Sequence, residues 1–187
     1  ISENSSNENN LLLRKILLKN MQQEPDLIWN DLLSWLFIQQ KDFSKAFVQE
    51  KAIFNRQPES LYRIEELAQI AANENQNDVA KDILLYVINT AQDTETLLSA
   101  NYNLLQLETR TTSKDNYQHI NAQYLELFKK FGTFAQTLNL QIAYGHFLAF
   151  YMNETDKAIT FLEQTLELPI TELEKAEVKL ELGDILV

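Results

Sequence analysis

The sequence predicts an all-α fold in which antiparallel helix pairs stack as an α/α superhelix, and three observations carry that reading. Apolar residues recur at helical spacing along nearly the whole chain. Only three Gly and three Pro occur in 187 residues, against average usage of about 7% and 5%, which leaves little material for the turns of a hairpin-built sheet. The three prolines, Pro25, Pro58 and Pro169, each stand just past a helical pattern; the step between the first two is 33 and that between the last two is 111, three times 37. Proline stops a helix because its ring lacks an N–H and clashes with the preceding turn, so regular prolines mark a unit used repeatedly.

The elements follow in order. Leu11, Leu12, Ile16, Leu17 and Met21 share a helical stripe that ends before Pro25. Leu32, Leu33, Leu36 and Phe37 predict a second helix, and Phe43, Ala46, Phe47, Ile53 and Phe54 a third that ends before Pro58. Leu61, Ile64, Leu67, Ala68 and Ala71 predict the fourth; Val79, Ala80, Ile83, Leu84, Val87 and Ile88 predict the fifth. The pair 94–109 and 114–131 comes next, with Gly132 as a C-terminal cap because glycine enters positive φ freely. A long apolar helix over 133–152, its partner over 155–168 and a last helix over 171–187 complete about ten helices. Thr171 with Glu174 has the spacing of a capping box. The linkers are short and polar, so neighbouring helices must run antiparallel.

The period separates a solenoid from a closed bundle. Aligning the second helices of successive pairs brings Ala46, Ala80, Ile120 and Ala158 into one slot at spacings of 34, 40 and 38. In the first helices, Ala68, Gly145 and Gly183 put a small residue where a neighbour must approach closely, and the two glycines are 38 apart. Gly inside a helix costs about 1 kcal/mol relative to Ala, which implies a packing reason.

These residues resemble the tetratricopeptide repeat family, whose 34-residue unit is a helix–turn–helix. The carrying stretches are Leu33-Ser34-x-x-Phe37 with Phe43-x-x-Ala46 up to Pro58, then Leu67-Ala68-x-x-Ala71 with Ala80-x-x-x-Leu84-x-x-Val87, and Asp156-Lys157-Ala158-Ile159 up to Pro169. The pattern departs at Trp29, one position from the family's Trp slot, and at Glu50, where a large apolar residue is expected. The resemblance implies a right-handed solenoid over residues 26–187, preceded over 1–25 by one helix of an incomplete repeat. The chain opens Ile1-Ser2-Glu3 without Met and closes on Ile185-Leu186-Val187 inside a helical pattern, so it is expected to be a fragment truncated at its C-terminal end.

Composition excludes several function classes. Zero Cys removes disulfides, thiolate chemistry and Cys-bound zinc, and leaves the compartment, cytoplasmic or periplasmic, open. His119 and His146 are the two histidines, in no metal or triad spacing, and the isolated glycines form no phosphate loop. No catalytic constellation and no cofactor or metal site is therefore expected, and both histidines are expected to be rim or packed residues with a hydrogen-bond partner. Sixteen Lys and Arg against 27 Asp and Glu give a net charge of −11, which argues against a phosphate backbone as partner. The clusters Arg14-Lys15 with Lys19 and Lys129-Lys130 read as solvated helix faces. Nine acidic residues and three Lys fall between Glu154 and Val187, so more than half of the excess charge lies in the last fifth. No apolar run of about 18 residues is present, so membrane insertion by this segment is not expected.

A protein of this family binds peptides or protein segments on the concave surface lined by the first helix of each pair. By the family's register that surface comprises Asp31, Trp35 and Ile38, then Tyr62, Glu65, Gln69 and Asn73, then Ser99, Asn103 and Gln106, then Phe147, Phe150 and Tyr151. Rings supply contact area and amides can pair with the backbone of an extended peptide. Trp35, Phe147, Phe150 and Tyr151 are expected to pack between helices rather than meet a ligand, whereas the polar residues have little reason to face inward. Asp31 and Glu65 stand where members that capture a C-terminal carboxylate carry basic or amide side chains, so that mode is not expected. The expected function is a non-enzymatic interaction module or scaffold for a protein or peptide partner. The alternative is a structural spacer, or a segment that forms a homo-oligomer through truncated repeat ends.

Overall fold

The structure, a computed structural model, describes residues 7–187, and the opening Ile1-Ser2-Glu3 lies outside the described residues. The described residues form ten α-helices and no strand: α1 (Glu8–Gln23), α2 (Leu27–Gln39), α3 (Phe43–Arg56), α4 (Tyr62–Asn73), α5 (Asn77–Thr90), α6 (Thr94–Thr111), α7 (Tyr117–Phe131), α8 (Leu138–His146), α9 (Thr155–Leu166) and α10 (Glu172–Leu186). The fold is all-α, and consecutive helices pack in pairs. The chain divides into two compact units, Ile1–Thr96 and Leu97–Val187.

In the first unit α2 packs on α3 and α4 on α5, with α1 laid against α2 and α3 against α4. The second pair repeats the first down to the backbone. Lys41 and Asn75 each take a positive φ, 54° and 60°, in the turn between first and second helix. Around them Asp42 N–H donates to Phe37 O and Gln76 N–H to Ala71 O, both at 2.9 Å, while Lys41 and Asn75 N–H donate to Ile38 O and Ala72 O, both at 3.0 Å. That is the six-to-one and five-to-two pattern that closes a helix on a left-handed residue. A lysine and an asparagine do here what glycine does elsewhere, which is how tight turns coexist with so few glycines. The turns are tied together: Gln76 Nε2 donates to Lys41 O at 2.7 Å, and Lys41 pairs with Glu74 at 2.8 Å. The aligned slot is closed throughout the chain, with Ala46, Ala80 and Ala158 at 0% exposure and Ile120 at 1%.

The second unit has an aromatic core. Tyr124 of α7 lies 5.1 Å from Tyr144 and 5.7 Å from Phe147, ring to ring, and Tyr144 meets Phe161 of α9 edge-on at 5.1 Å. Leu98 and Leu105 of α6, Leu162 of α9 and Val178 of α10 complete it. The Tyr144 hydroxyl keeps a partner, donating to Asn121 Oδ1 at 2.8 Å. Gly132 closes α7 at φ 76°. The helix expected over 133–152 is instead three segments: a 3-10 turn at Ala135–Thr137, α8, and a π-helical stretch at Phe147–Tyr151. Thr137 Oγ1 donates to Gly132 O at 2.9 Å and holds the first bend, while Met152 N–H reaches back to Phe147 O and Glu154 N–H to Leu148 O, widening the last turn. Asn153, at φ 56°, then turns the chain into α9.

The two glycines that share a register part company. A Cβ on Gly145 would stand 2.7 Å from Cγ and Cδ1 of Leu162, so α8 and α9 approach over bare backbone. Gly183 does not occupy a close-packed slot within the chain: it is exposed, and a Cβ there meets nothing within 4 Å. It lies on the side of α10 opposite the buried Val178 and Ile185.

Burial pushes the Tyr124 phenol well above its ordinary range, with Tyr102 adding to the effect, and burial followed by the charge of Glu154 raises that of Tyr144. An unfolded chain releases these protons near pH 10 and the folded chain at higher pH, so between those values the folded state holds more protons. Stability is fully present below about pH 10 and is lost as pH rises. Urea unfolding followed by circular dichroism is expected to show a loss of about 1 kcal/mol from Tyr124 by pH 11, and a Tyr124→Phe variant is expected to lose correspondingly less over the same interval.

Candidate functional site

Two consecutive first helices in the first unit present the same kind of outward stripe. On α2 it is Ile28, Leu32, Trp35 and Gln39; on α4, at the matching positions of the next repeat, it is Tyr62, Glu66, Gln69 and Asn73. All eight are exposed, because their spacing of four, three and four keeps them on one helical face while Leu33, Leu36 and Phe37, or Ile64, Leu67 and Ala71, face the core. Four of them are large and apolar or aromatic: Ile28 is 53% exposed, Leu32 39%, Trp35 48% and Tyr62 65%. Exposed apolar residues scattered singly need no explanation, but a run of them along one face does.

A charged network ties α2 to α4 beside these stripes. One Arg63 nitrogen lies 2.7 Å from Asp31 of α2 and 2.8 Å from Glu50 of α3. Glu50 is 4% exposed and also accepts the Ser34 hydroxyl at 2.5 Å. The two carboxylates hold the guanidinium proton more firmly than in a free arginine, Glu50 contributing most. The buried position in which Glu50 looked anomalous is thus filled by the length of its side chain, and its charge is answered from both sides. Neighbouring Asn30 donates to Gln49 Oε1 at 2.9 Å, a second link between α2 and α3. With Glu65 half-buried and Glu66 exposed, three carboxylates, Asp31 among them, accompany one guanidinium around this surface, and Glu50 is buried beneath it.

The sequence-derived positions therefore fall as follows. Trp35, Tyr62, Gln69 and Asn73 lie exposed on the α2 and α4 stripes; Asp31 and Glu65 lie half-buried along their edges, Asp31 held by Arg63. Trp35 is not packed between helices, because its position, the repeat equivalent of Gln69, is on the outward face. Asn103 and Gln106, both half-buried, lie on α6 with exposed Ser99. In the second unit Phe147 is core, Tyr151 is half-buried and Phe150 is about half exposed. His119 is exposed on α7, and His146 has its Nδ1 2.9 Å from Glu181 Oε1 of α10 and its ring 4.6 Å from that of Phe150. Among the described residues no three His, Asp or Glu side chains converge as metal ligands, and no helix is long and apolar enough to cross a membrane.

Sequence reasoning missed Ile28, Leu32, Gln39, Glu66 and Arg63. The first four were legible as the remaining members of stripes already marked by Trp35 and Gln69. Arg63 was not, since its two carboxylate partners, Asp31 and Glu50, stand on two other helices at no regular spacing from it. No protein-family model matches the chain, and a search of curated proteins finds no match to its sequence.

Proposed function

We propose that the protein is a divergent tetratricopeptide-like module that works by binding, and that the face shared by α2 and α4 receives a segment of another protein. The observation that carries this reading is the exposed Ile28, Leu32, Trp35 and Tyr62 face on helices fixed by a repeated register. Trp and Tyr bury large area at low entropic cost and are favoured as anchors in protein interfaces. Gln69 and Asn73 beside them offer donors and acceptors to an extended backbone. The surrounding carboxylates favour a segment that combines apolar side chains with Lys or Arg.

A library of random linear peptides panned against the chain tests this. Enriched peptides are expected to be apolar with basic residues and to bind a Trp35→Ala/Tyr62→Ala double variant at least tenfold more weakly by fluorescence anisotropy. Peptides that bind this variant and the parent equally would place the binding surface elsewhere.

A further inference from the structure

Helices α1 and α10 each present an exposed face that points away from the unit the helix belongs to. On α10, Leu173, Ala176, Leu180 and Gly183 recur at intervals of three, four and three, and all four are exposed. Such alternation is the seam of one helix laid along another. Gly183 sharpens the reading. It weakens its own helix by about 1 kcal/mol, and a Cβ there would meet nothing within 4 Å among the described residues, whereas Gly145, its register equivalent, receives the Leu162 side chain of a packed helix. The α10 face is thus shaped for a helix that presents a branched apolar side chain.

On α1, Leu12 and Ile16, one turn apart, are 58% and 46% exposed, next to the exposed Lys15 and Lys19. The charges of the two helices are complementary. Helix α1 carries three basic residues against one acidic, and α10 five acidic against two basic. On α10, Glu177 and Asp184 flank the apolar seam. Lys179 stands on the other flank; two α10 helices laid antiparallel would set these carboxylates against their own kind, while α1 brings lysines to them.

We propose that α10 of one copy of this chain receives α1 of a second copy, Leu12 and Ile16 seating over Leu180 and Gly183 with Lys15 and Lys19 beside Glu177 and Asp184. The contact is heterologous: it joins two different faces, so a copy that has used one keeps the other, and association continues past the dimer unless a ring closes. A single helix-on-helix contact lies at the small end of stable interfaces, so association is expected at micromolar concentrations and above.

Sedimentation velocity on the full chain tests this. At low ionic strength the weight-average mass is expected to rise with concentration beyond twice the monomer. A Leu12→Asp/Ile16→Asp variant and a Leu180→Asp variant, all changed at exposed positions, are each expected to stay monomeric alone and to form a 1:1 dimer, and nothing larger, when mixed. Lys15→Glu/Lys19→Glu is expected to weaken association at least tenfold, with recovery on pairing it with Glu177→Lys/Asp184→Lys. A parent chain that stays monomeric up to about 1 mM, or either apolar variant dimerising by itself, would overturn the proposal.

Discussion

Replacing Gly145 with valine is expected to lower the unfolding free energy by about 3 kcal/mol, while replacing Gly183 with alanine is expected to raise it by up to about 1 kcal/mol. The contrast follows from what each missing side chain would meet. At Gly145 the first added carbon falls 2.7 Å from Cγ of Leu162 and 2.8 Å from Cδ2, inside any real van der Waals contact. Leu162 is fully buried among the aromatic rings of the second unit and cannot swing aside without displacing them. Valine adds two further methyls and loses rotamer freedom against the preceding turn. At Gly183 an alanine meets only solvent and recovers helix propensity. The clash has a partner, so it can be relieved: Leu162→Ala alone leaves a cavity and costs about 2–5 kcal/mol, but in the Gly145→Val background its cost is expected to shrink. Urea unfolding followed by circular dichroism checks all four chains. A Gly145→Val variant as stable as the parent would mean that the approach of α8 to α9 is not set by that glycine.

The same glycine shows what a sequence discloses about such a fold. Helix number, pairing and the buried slot at Ala46, Ala80, Ile120 and Ala158 were legible because each rests on local spacing: apolar residues one turn apart, a proline after a helix, a polar turn between. Gly145 and Gly183 look alike in sequence, since spacing cannot say whether a neighbour helix is present over either. The π-helical turn at Phe147–Tyr151 was hidden for a related reason. It depends on backbone groups reaching too far, Met152 N–H five residues back to Phe147 O and Glu154 N–H six back to Leu148 O, within an apolar run whose composition differs little from that of an ordinary helix. Of the candidate surface, Trp35, Tyr62, Gln69 and Asn73 were readable from the repeat register, because that register holds down to the turn hydrogen bonds. Asp31 was read as a groove residue with no partner named, and it is paired with Arg63; three helices must be assembled before an arginine on one is seen to lie between carboxylates on the two others.

That arginine carries the other large expected effect. Arg63→Met is expected to destabilise the first unit by about 3–4 kcal/mol, whereas Glu50→Leu is expected to cost less than about 1 kcal/mol and the double change to return close to the parent. The asymmetry comes from where the burial lies. The Glu50 side chain is 5% exposed and the Arg63 side chain 50%, so removing the arginine strands a carboxylate inside the protein with only the Ser34 hydroxyl to answer it. Removing the carboxylate instead leaves an arginine that keeps Asp31 and reaches water. A leucine in that place is what the fold already uses, since buried Leu84 of α5 holds the register position of Glu50 one repeat on, where buried Ala68 holds that of Ser34, and Leu162 of α9 packs over Gly145. Ser34, the small residue facing Glu50, then needs only a backbone carbonyl one turn back for its hydroxyl. Both tryptophans, Trp29 and Trp35, lie in the first unit, so urea unfolding followed by tryptophan fluorescence reads this unit directly. Equal losses for Arg63→Met and Glu50→Leu, with no recovery in the double variant, would mean that the carboxylate contributes packing that leucine does not replace. Recovery would show that the charge pair is tolerated in this core rather than needed for its stability, the carboxylate standing at a register position that leucine fills on α5 and α9.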